Sequence, residues 1–166
     1  MFNYLKKNLD NIVKMKISEI DDYVKTLTLN PEKFSVTDVR DIVEKLSFNI
    51  SDFITDIDFN NQGYKKIPIY DHALFDVYVI VWNKLGVSKI HDHSENGCIF
   101  RIVKGILSEQ IFNSDLKRLS RRVLGKDIIG YIDNDNGYHK IRNILDDYSV
   151  SVHLYSPRGY IANTFD

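Results

Sequence analysis

The chain has one cysteine, Cys98, among its 166 residues, so no disulfide can form within it. It also has no excess of charge of either sign, because 22 lysines and arginines stand against 23 aspartates and glutamates. A basic surface that binds nucleic acid is therefore not expected. No apolar run approaches the roughly 20 residues of a membrane-spanning helix, and the N-terminus lacks the apolar segment of a signal peptide. We expect a cytoplasmic protein and a monomer, with neither nucleic-acid nor membrane partners.

The first part of the chain, residues 1–60, has the spacing of amphipathic helices. Apolar residues recur at three- and four-residue intervals from Leu5 to Leu27. The run from Ser35 to Asp38 has the spacing of a capping box and predicts the start of a helix that continues to Leu46. A last short helix is predicted over residues 50–57. Because apolar stripes usually pack in a core, we expect these helices to lie against the rest of the protein rather than to bind a partner.

From residue 61 onward the period of the apolar residues changes from that of helices to that of strands. Turn-forming residues separate short strands predicted over residues 66–70, 74–82, 89–93, 98–104, 106–112, 119–124, 128–132, 138–144 and 148–155. Pro68 favours an edge position for the first strand, and the nearly continuous apolar run 74–82 is typical of a strand buried on both faces. We predict a mainly β fold, a jelly-roll β-barrel with the helical segment packed on it, as a single domain over residues 1–166.

The spacing of His91 and His93 places two imidazoles on the same face of a strand, where they could bind a metal ion. Asn96-Gly97 predicts that this strand forms a hairpin with the next one. Asp92 is interpreted as a turn or surface residue. His139 could complete a three-histidine site, since a barrel brings distant strands together, or it could be a structural histidine.

The last predicted strand has a polar face opposite an apolar one. The polar face carries Ser149, Ser151, His153 and Tyr155. This face either contacts solvent or lines a cavity that holds a ligand or metal. Cys98 is expected to be buried as a small apolar residue; as a fourth ligand beside the histidines it would instead make a closed, structural zinc site.

Two spaced motifs in the strand region resemble those of cupins: Gly86-x4-His91-x-His93-x4-Cys98-x6-Gly105 and Gly130-x5-Asn136-Gly137-x-His139-x3-Asn143. Within the cupins, the chain is similar to the cysteine dioxygenase family over about residues 64–166. The features that carry this likeness are Trp82, the two motifs, and the run Ser151-x-His153-Leu154-Tyr155-Ser156-Pro157. Four of the five histidines, the single cysteine and Tyr155 all fall at family positions.

The resemblance implies a site and a reaction. It implies one iron(II) ion per chain, held by His91, His93 and His139. It implies a thioether bond between Cys98 and Tyr155 beside the metal, and the orientation of the tyrosine hydroxyl by Ser151 and His153. The implied reaction is the oxidation of L-cysteine by O2 to cysteine sulfinic acid, so that the partners are a small thiol and O2.

The chain departs from the family pattern in the residue that binds the substrate carboxylate. Where the family has Tyr-x-Arg, this chain has Tyr64-Lys65-Lys66, which makes Tyr64 and Lys66 the expected substrate-binding residues. Lysine pairs with a carboxylate but lacks the planar two-point fork of arginine. The alternatives are therefore another small thiol, such as cysteamine or 3-mercaptopropionate, a metal- or ligand-binding cupin without turnover, or a zinc site. Many family members continue with further strands after the Ser-Pro segment, so it is an open question whether the site is closed on that side.

Overall fold

The computed structural model describes residues 5–6, 13–55, 61 and 63–166. These residues form eleven strands: β1 (Leu5–Lys6), β2 (Tyr64–Asp71), β3 (Asp76–Trp82), β4 (Ile90–His91), β5 (Cys98–Lys104), β6 (Ile106–Phe112), β7 (Arg118–Gly125), β8 (Ile128–Ile132), β9 (Tyr138–Asn143), β10 (Ser149–Tyr155) and β11 (Thr164–Phe165).

The strands make two antiparallel sheets, a six-stranded one in the order β1-β8-β5-β10-β3-β2 and a five-stranded one in the order β11-β4-β9-β6-β7. An apolar layer between the sheets includes Ile80, Phe100, Leu107 and Ile141. The predicted mainly β jelly roll is confirmed. The edge position predicted for the strand that carries Pro68 is confirmed too, because among the described residues β2 pairs with β3 alone.

The N-terminal segment is less helical than predicted. It contains α1 (Ile20–Lys25), α2 (Arg40–Lys45) and short 3-10 turns at Ile17–Glu19, Pro31–Lys33, Val36–Val39 and Ile50–Phe53. The capping box at Ser35 is confirmed, with the Asp38 carboxylate accepting a hydrogen bond from the Ser35 amide at 2.9 Å. No helix among the described residues has the length and apolarity needed to span a membrane.

The prediction of a helix that begins at Leu5 is wrong. Leu5–Lys6 pairs with β8, and Met15 forms a bridge with Leu46. A helix of this length gains little stability by itself, so hydrogen bonds to an existing sheet edge outweigh its local preference. The predicted helices also ran over residues 7–12 and 56–57, which lie outside the described residues.

The central strands β3, β5 and β10 of the six-stranded sheet are buried on both faces, which accounts for the continuous apolar run of β3. Along β3, Val77, Val79 and Val81 join a core with the N-terminal segment, whereas Ile80 and Trp82 pack between the two sheets. The double burial predicted for this strand is therefore confirmed, and so is the packing of the helical segment on the barrel.

Arg101 connects the helical segment to this sheet. Its side chain lies on the outer face of β5 and is only 7% exposed. The guanidinium donates hydrogen bonds to the carbonyl of Val43, at 2.7 Å, and to that of Leu46, and it pairs with Asp127 at 3.6 Å. The last carbonyls of a helix lack partners within the helix, so Arg101 satisfies the C-terminal end of α2.

The Asn96-Gly97 turn does not close a hairpin, contrary to the prediction. β4 and β5 lie in different sheets, and the turn carries the chain from one sheet to the other. Gly97 has a φ of 84°, and a Cβ atom there would lie 2.8 Å from the Tyr131 ring. The turn therefore needs a glycine at position 97, but the two strands that it connects, β4 and β5, are not neighbours in one sheet.

Candidate metal centre

Three histidines converge at the inner face of the five-stranded sheet. His91 and His139 are cross-strand partners on β4 and β9, and His93 follows two residues after His91. One ring nitrogen from each lies within 4.8 Å of the others. The backbone of His93 is fixed by Asn134, whose side chain accepts from the His93 amide at 2.8 Å and donates to its carbonyl at 2.9 Å. The three side chains thus form a cluster that could hold a metal ion.

The hydrogen bonds of His91 and His139 direct one nitrogen of each toward the same point. Nδ1 of His91 lies 2.9 Å from the carbonyl of Lys89, and Nδ1 of His139 lies 2.9 Å from the carboxylate of Glu109. Both partners can only accept, so both Nδ1 atoms carry the proton and both Nε2 atoms present lone pairs.

These two Nε2 atoms face each other at 2.9 Å. Two lone pairs at this distance repel each other unless a cation lies between them. Two nitrogens bound at right angles to one metal ion, each at roughly 2.1 Å, lie about 3 Å apart. The arrangement therefore fits a shared metal ion.

His93 supports the same interpretation. Its ring is 3% exposed, and neither of its nitrogens has a hydrogen-bond partner among the described residues. Burial holds the pKa of His93 and of His139 well below the usual value, and it lowers that of His91 as well. All three rings are thus neutral, which is the form that binds a metal ion.

The opposite wall of the site belongs to the six-stranded sheet and carries a chain of hydrogen bonds. The Trp82 indole N–H, which can only donate, lies 2.9 Å from the Ser151 hydroxyl oxygen. That hydroxyl lies 2.8 Å from Nε2 of His153, and Nδ1 of His153 lies 3.3 Å from the Tyr155 hydroxyl. The polar face of β10 therefore lines the interior of the barrel, and the alternative of a solvent-facing polar strand is wrong.

Cys98 lies next to the end of this chain of hydrogen bonds. It is the cross-strand partner of Tyr155, and its sulfur lies 3.8 Å from Nδ1 of His153. Burial raises the pKa of the Cys98 thiol and of the Tyr155 phenol, so both keep their protons at neutral pH. The thiol is on the far sheet from the histidine cluster and does not belong to it, which is contrary to a closed zinc site with Cys98 as fourth ligand.

Lys66 and Tyr64 both face this cavity from β2. Much of the Lys66 side chain is open to solvent, but its ammonium lies 3.9 Å from the ring centroid of Tyr78 and 4.1 Å from that of Tyr155. Desolvation there lowers the pKa of Lys66. Tyr64 packs against Trp82 with ring centroids 4.8 Å apart. The structure thus brings together all nine residues that the sequence singled out.

A model of the family described as cysteine dioxygenase type I matches residues 13–166. The chain belongs to the cysteine dioxygenase type I family. It is 27% identical over 163 residues to cysteine dioxygenase type 1 of Danio rerio, covering 92% of this chain and 81% of that protein. It is 26% identical over 143 residues to the Bos taurus protein of the same name, covering 81% and 72%. As a member of this family, the chain is an oxidoreductase of the dioxygenase class.

Solved structures with a similar fold are distant in sequence. An oxalate decarboxylase–formate complex from Lactobacillus farciminis superposes with a TM-score of 0.52 at 16% identity, over 61% of this chain and 30% of that one. The protein TT1209 from Thermus thermophilus also gives 0.52, at 12% identity, over 67% and 96%. At these identities the likeness concerns the fold alone, which is that of the cupins.

In this family member, the C-terminal segment closes the cavity, which has a volume of about 280 Å³. Tyr160, Ala162 and Thr164 line the cavity together with His91 and Lys66. β11 pairs with β4, and Thr164 is the partner of His91. The side of the site that the sequence left open is therefore covered by residues 159–166.

Asp92 holds this segment and is more than the turn or surface residue that the sequence suggested. Its carboxylate accepts hydrogen bonds from the Tyr160 hydroxyl, from the Asn163 amide at 2.8 Å and from the Asn163 side chain at 2.6 Å. A carboxylate between two histidines of the cluster thus also fixes the cavity wall above them.

Glu109 is a site residue that the sequence interpretation missed. It lies in the middle of β6 and is fully buried. Strand alternation alone could have identified it, because Leu107 and Ile111 point into the core and the residue between them on the same face must do so too. A buried carboxylate needs a partner, and the nearest histidine strand, β9, supplies one.

Proposed function

We propose that the chain is an iron(II)-dependent thiol dioxygenase that oxidises L-cysteine with O2 to cysteine sulfinic acid. One iron ion per chain would be held by His91, His93 and His139. The observation that carries the proposal is the pair of Nε2 lone pairs 2.9 Å apart, which faces a cavity with a cation, Lys66, on its other wall. Family membership supplies the reaction class.

Bound iron(II) would supply a redox-active centre at which the thiol and O2 combine, with both oxygen atoms ending on sulfur. The atoms balance without a further reductant, since a thiol and O2 together give a sulfinic acid. The protein's part is to present three neutral imidazoles and to leave the remaining positions open to substrate. The absence of a carboxylate from this ligand set leaves room for the charge of a thiolate.

The substrate would be oriented from the six-stranded sheet. The Lys66 ammonium is the group that would pair with the carboxylate of cysteine, and Tyr64 would border the same part of the cavity. A charged hydrogen bond of this kind contributes about 1.5–3 kcal/mol. Because a lysine cannot offer two parallel bonds, the amino acid carboxylate would be held less rigidly than by an arginine.

Tyr155, His153, Ser151 and Cys98 are the proposed catalytic group on that wall. The Ser151 oxygen accepts from Trp82, so its own proton can be donated to Nε2 of His153. That leaves the single proton of the neutral imidazole on Nδ1, directed at the Tyr155 oxygen. The tyrosine hydroxyl would then keep its own proton for a group in the cavity. The proposed thioether bond to Cys98 would remove one hydrogen from each side chain, with O2 as the acceptor.

The test is oxygen consumption by iron-loaded protein with a panel of thiols: cysteine, cysteamine and 3-mercaptopropionate. We expect uptake with cysteine, formation of the sulfinic acid, and loss of both iron and activity in His139→Ala. Oxygen uptake with only cysteamine or 3-mercaptopropionate would identify that thiol as the substrate instead. These thiols are the second candidates because position 66 carries a lysine. Metal binding without oxygen uptake for any thiol would overturn the proposal and indicate a non-catalytic cupin. Stoichiometric zinc in the purified protein, with no activity after iron is added, would overturn it and indicate a zinc site.

A further inference from the structure

We propose that Glu109 is a positioning residue of the metal centre: its carboxylate accepts the Nδ1–H of His139 and so commits Nε2 to the metal. The inference rests on the proposed metal site and deepens it, because it adds a residue from a strand that supplies none of the three histidines. It also makes the three histidines unequal in how strongly they donate electrons to the metal, with His139 the strongest.

Glu109 lies in the fold at a place where a carboxylate is unexpected. Its side chain has no exposed surface and lies between the two sheets, with Leu107 and Ile111 on the same face of β6. β6 is the neighbour of β9, and the residue of β9 opposite Glu109 is Ile141. An apolar side chain would suit these surroundings, so a carboxylate in this position needs a specific partner.

Glu109 and His139 are in direct contact. One carboxylate oxygen of Glu109 lies 2.9 Å from Nδ1 of His139, and both side chains are buried. A neutral imidazole has a single proton, and a proton on Nε2 would occupy the lone pair that a metal needs. The carboxylate can only accept, so it holds the proton on Nδ1 and leaves Nε2 as a donor atom.

The three histidines differ in the hydrogen-bond partners of their rings. The partner of His91 is the neutral carbonyl of Lys89, and His93 has no hydrogen-bond partner at either ring nitrogen among the described residues. Only the partner of His139, among these three, is an acidic side chain. An anionic acceptor increases the electron density on the ring, so His139 is the strongest donor of the set.

This arrangement adds a negative charge next to the metal without using a coordination position. The ligand set would stay neutral and open to an anionic thiolate, while Glu109 offsets part of the charge of the cation from behind His139. Glu109 lies behind His139 on the five-stranded sheet, whereas the substrate would lie on the side of the six-stranded sheet. The two would therefore not compete for space.

The experiment measures binding of Co²⁺ to the full-length, metal-free protein by competition with a chelator, together with the visible absorption of the bound cobalt. The variants are Glu109→Leu, which removes the acceptor, and Glu109→Gln, which keeps an acceptor oxygen but removes the charge. Leu107→Ala is the matched control, because it disturbs the same face of β6 two residues away and leaves the Glu109–His139 contact in place. Thermal unfolding of each metal-free variant reports the structural cost.

We expect Glu109→Leu to weaken cobalt binding about 10- to 100-fold, with a shift of the cobalt absorption bands, and Glu109→Gln to weaken it by a smaller factor. Leu107→Ala should lower the thermal midpoint and leave cobalt affinity and spectrum unchanged. The inference is overturned if both Glu109 variants bind cobalt as the unmodified protein does, or if the loss in affinity merely follows the loss in thermal midpoint across all three variants. If Glu109→Leu does not fold, the near-isosteric Glu109→Gln decides.

Failure of this inference is distinct from failure of the proposed function, since cobalt binding requires no turnover. A protein that binds cobalt in a Glu109-dependent way and oxidises no thiol would keep the inference and remove the proposed reaction. A protein that oxidises cysteine and binds metal independently of Glu109 would do the opposite.

Discussion

Lys66 carries a charge that no acidic side chain of the described residues neutralises by an ion pair. Its ammonium lies over two aromatic rings at the wall of the cavity. Such rings stabilise a cation while leaving its hydrogen-bonding capacity for a ligand. A substrate carboxylate is the anion for which this position is suited.

We predict that Lys66→Ala raises the Michaelis constant for cysteine roughly 10- to 100-fold, because one charged hydrogen bond is lost. The constant for cysteamine, which has no carboxylate, should change little. Steady-state oxygen uptake with both thiols measures the difference. Lys66→Arg should retain or improve the use of cysteine.

Lys65→Ala is the control for this prediction, since Lys65 is exposed on the same strand and does not line the cavity. It should leave both constants unchanged. Equal losses on both thiols in Lys66→Ala, or none on either, would remove Lys66 from substrate binding.

A second residue-scale prediction concerns Cys98 and Tyr155. As cross-strand partners that share a contact with His153, they should form a covalent bond in a fraction of molecules, and this fraction should grow with turnover. Denaturing gel electrophoresis and intact mass, lower by two hydrogens, measure it. The crosslinked species should be missing from Cys98→Ser and from protein kept under argon. A constant mass through many turnovers would contradict the prediction.

Single residues of the site differ in how far the sequence could predict them. The two histidines at i and i+2 are recognisable by their spacing, and the cupin-like motifs bring in His139. Glu109 and Asp92 escaped because their importance lies in what they contact, Nδ1 of a histidine in one case and a distant segment in the other. Spacing within one strand carries no information about such partners.

At the scale of elements, β11 and the residues before it act as a cover over the metal centre. Asp92 ties this segment to the histidine strand through Tyr160 and Asn163, and the Asp92 amide donates back to the Asn163 carbonyl at 3.2 Å. A two-residue strand such as β11 has little stability of its own. Besides the pairing of β11 with β4 and the stacking of Phe165 on Tyr138, the Asp92 carboxylate is the main polar anchor of the cover.

We predict that Asp92→Ala releases residues 159–166 without unfolding the barrel. Limited proteolysis should cleave this segment at least several times faster, and the Michaelis constant for cysteine should rise, because water enters a cavity that has lost one wall. Asp166→Asn is the control: it removes the exposed Lys89–Asp166 ion pair from the same segment, a contact of roughly 0–1 kcal/mol. Equal proteolysis of the two variants would show that Asp92 does not hold the cover.

The sequence predicts strands well where burial alone determines their apolar pattern. The strand β3 is apolar almost throughout because both of its faces are covered, and the sequence shows that directly. The N-terminal helices were overestimated because the apolar period persists while the backbone pairs with a sheet edge at Leu5–Lys6 and forms an isolated bridge between Met15 and Leu46. The Asn96-Gly97 turn was recognised, but a turn motif does not reveal which sheet the next strand joins. Domain number, oligomeric state and cellular location stay predictions.

At the scale of the whole molecule, three buried histidines link folding to pH. Burial holds the pKa of His93, His139 and His153 well below the ordinary value. In the unfolded chain these imidazoles titrate near pH 6.5 and take up protons that the folded protein does not. The unfolded state then binds more protons, so the free energy of unfolding falls as the pH decreases below about 6.5.

We predict that the metal-free protein loses up to about 1.4 kcal/mol of stability per histidine for each pH unit below that point. Urea unfolding at pH 7 and pH 5.5 measures the loss. His153→Gln should reduce the pH dependence by about one third of the three-histidine total, with the other two histidines unchanged. A free energy of unfolding that is the same at both pH values would contradict the assignment of neutral, buried rings.

The division of the site between two sheets has a consequence for how such an enzyme can change over generations. His91, His139 and Glu109 belong to the five-stranded sheet and His93 directly follows its strand β4, while Lys66 lies on β2, which pairs with one strand among the described residues. A substitution on that edge disturbs few packed side chains, whereas one among the histidines or at Glu109 disturbs the buried interior. If Lys66 binds the substrate as proposed, substrate preference can change at little cost in folding while the metal site is retained. The lysine at position 66, where the family resemblance leads us to expect arginine, is a change of the kind that this arrangement tolerates.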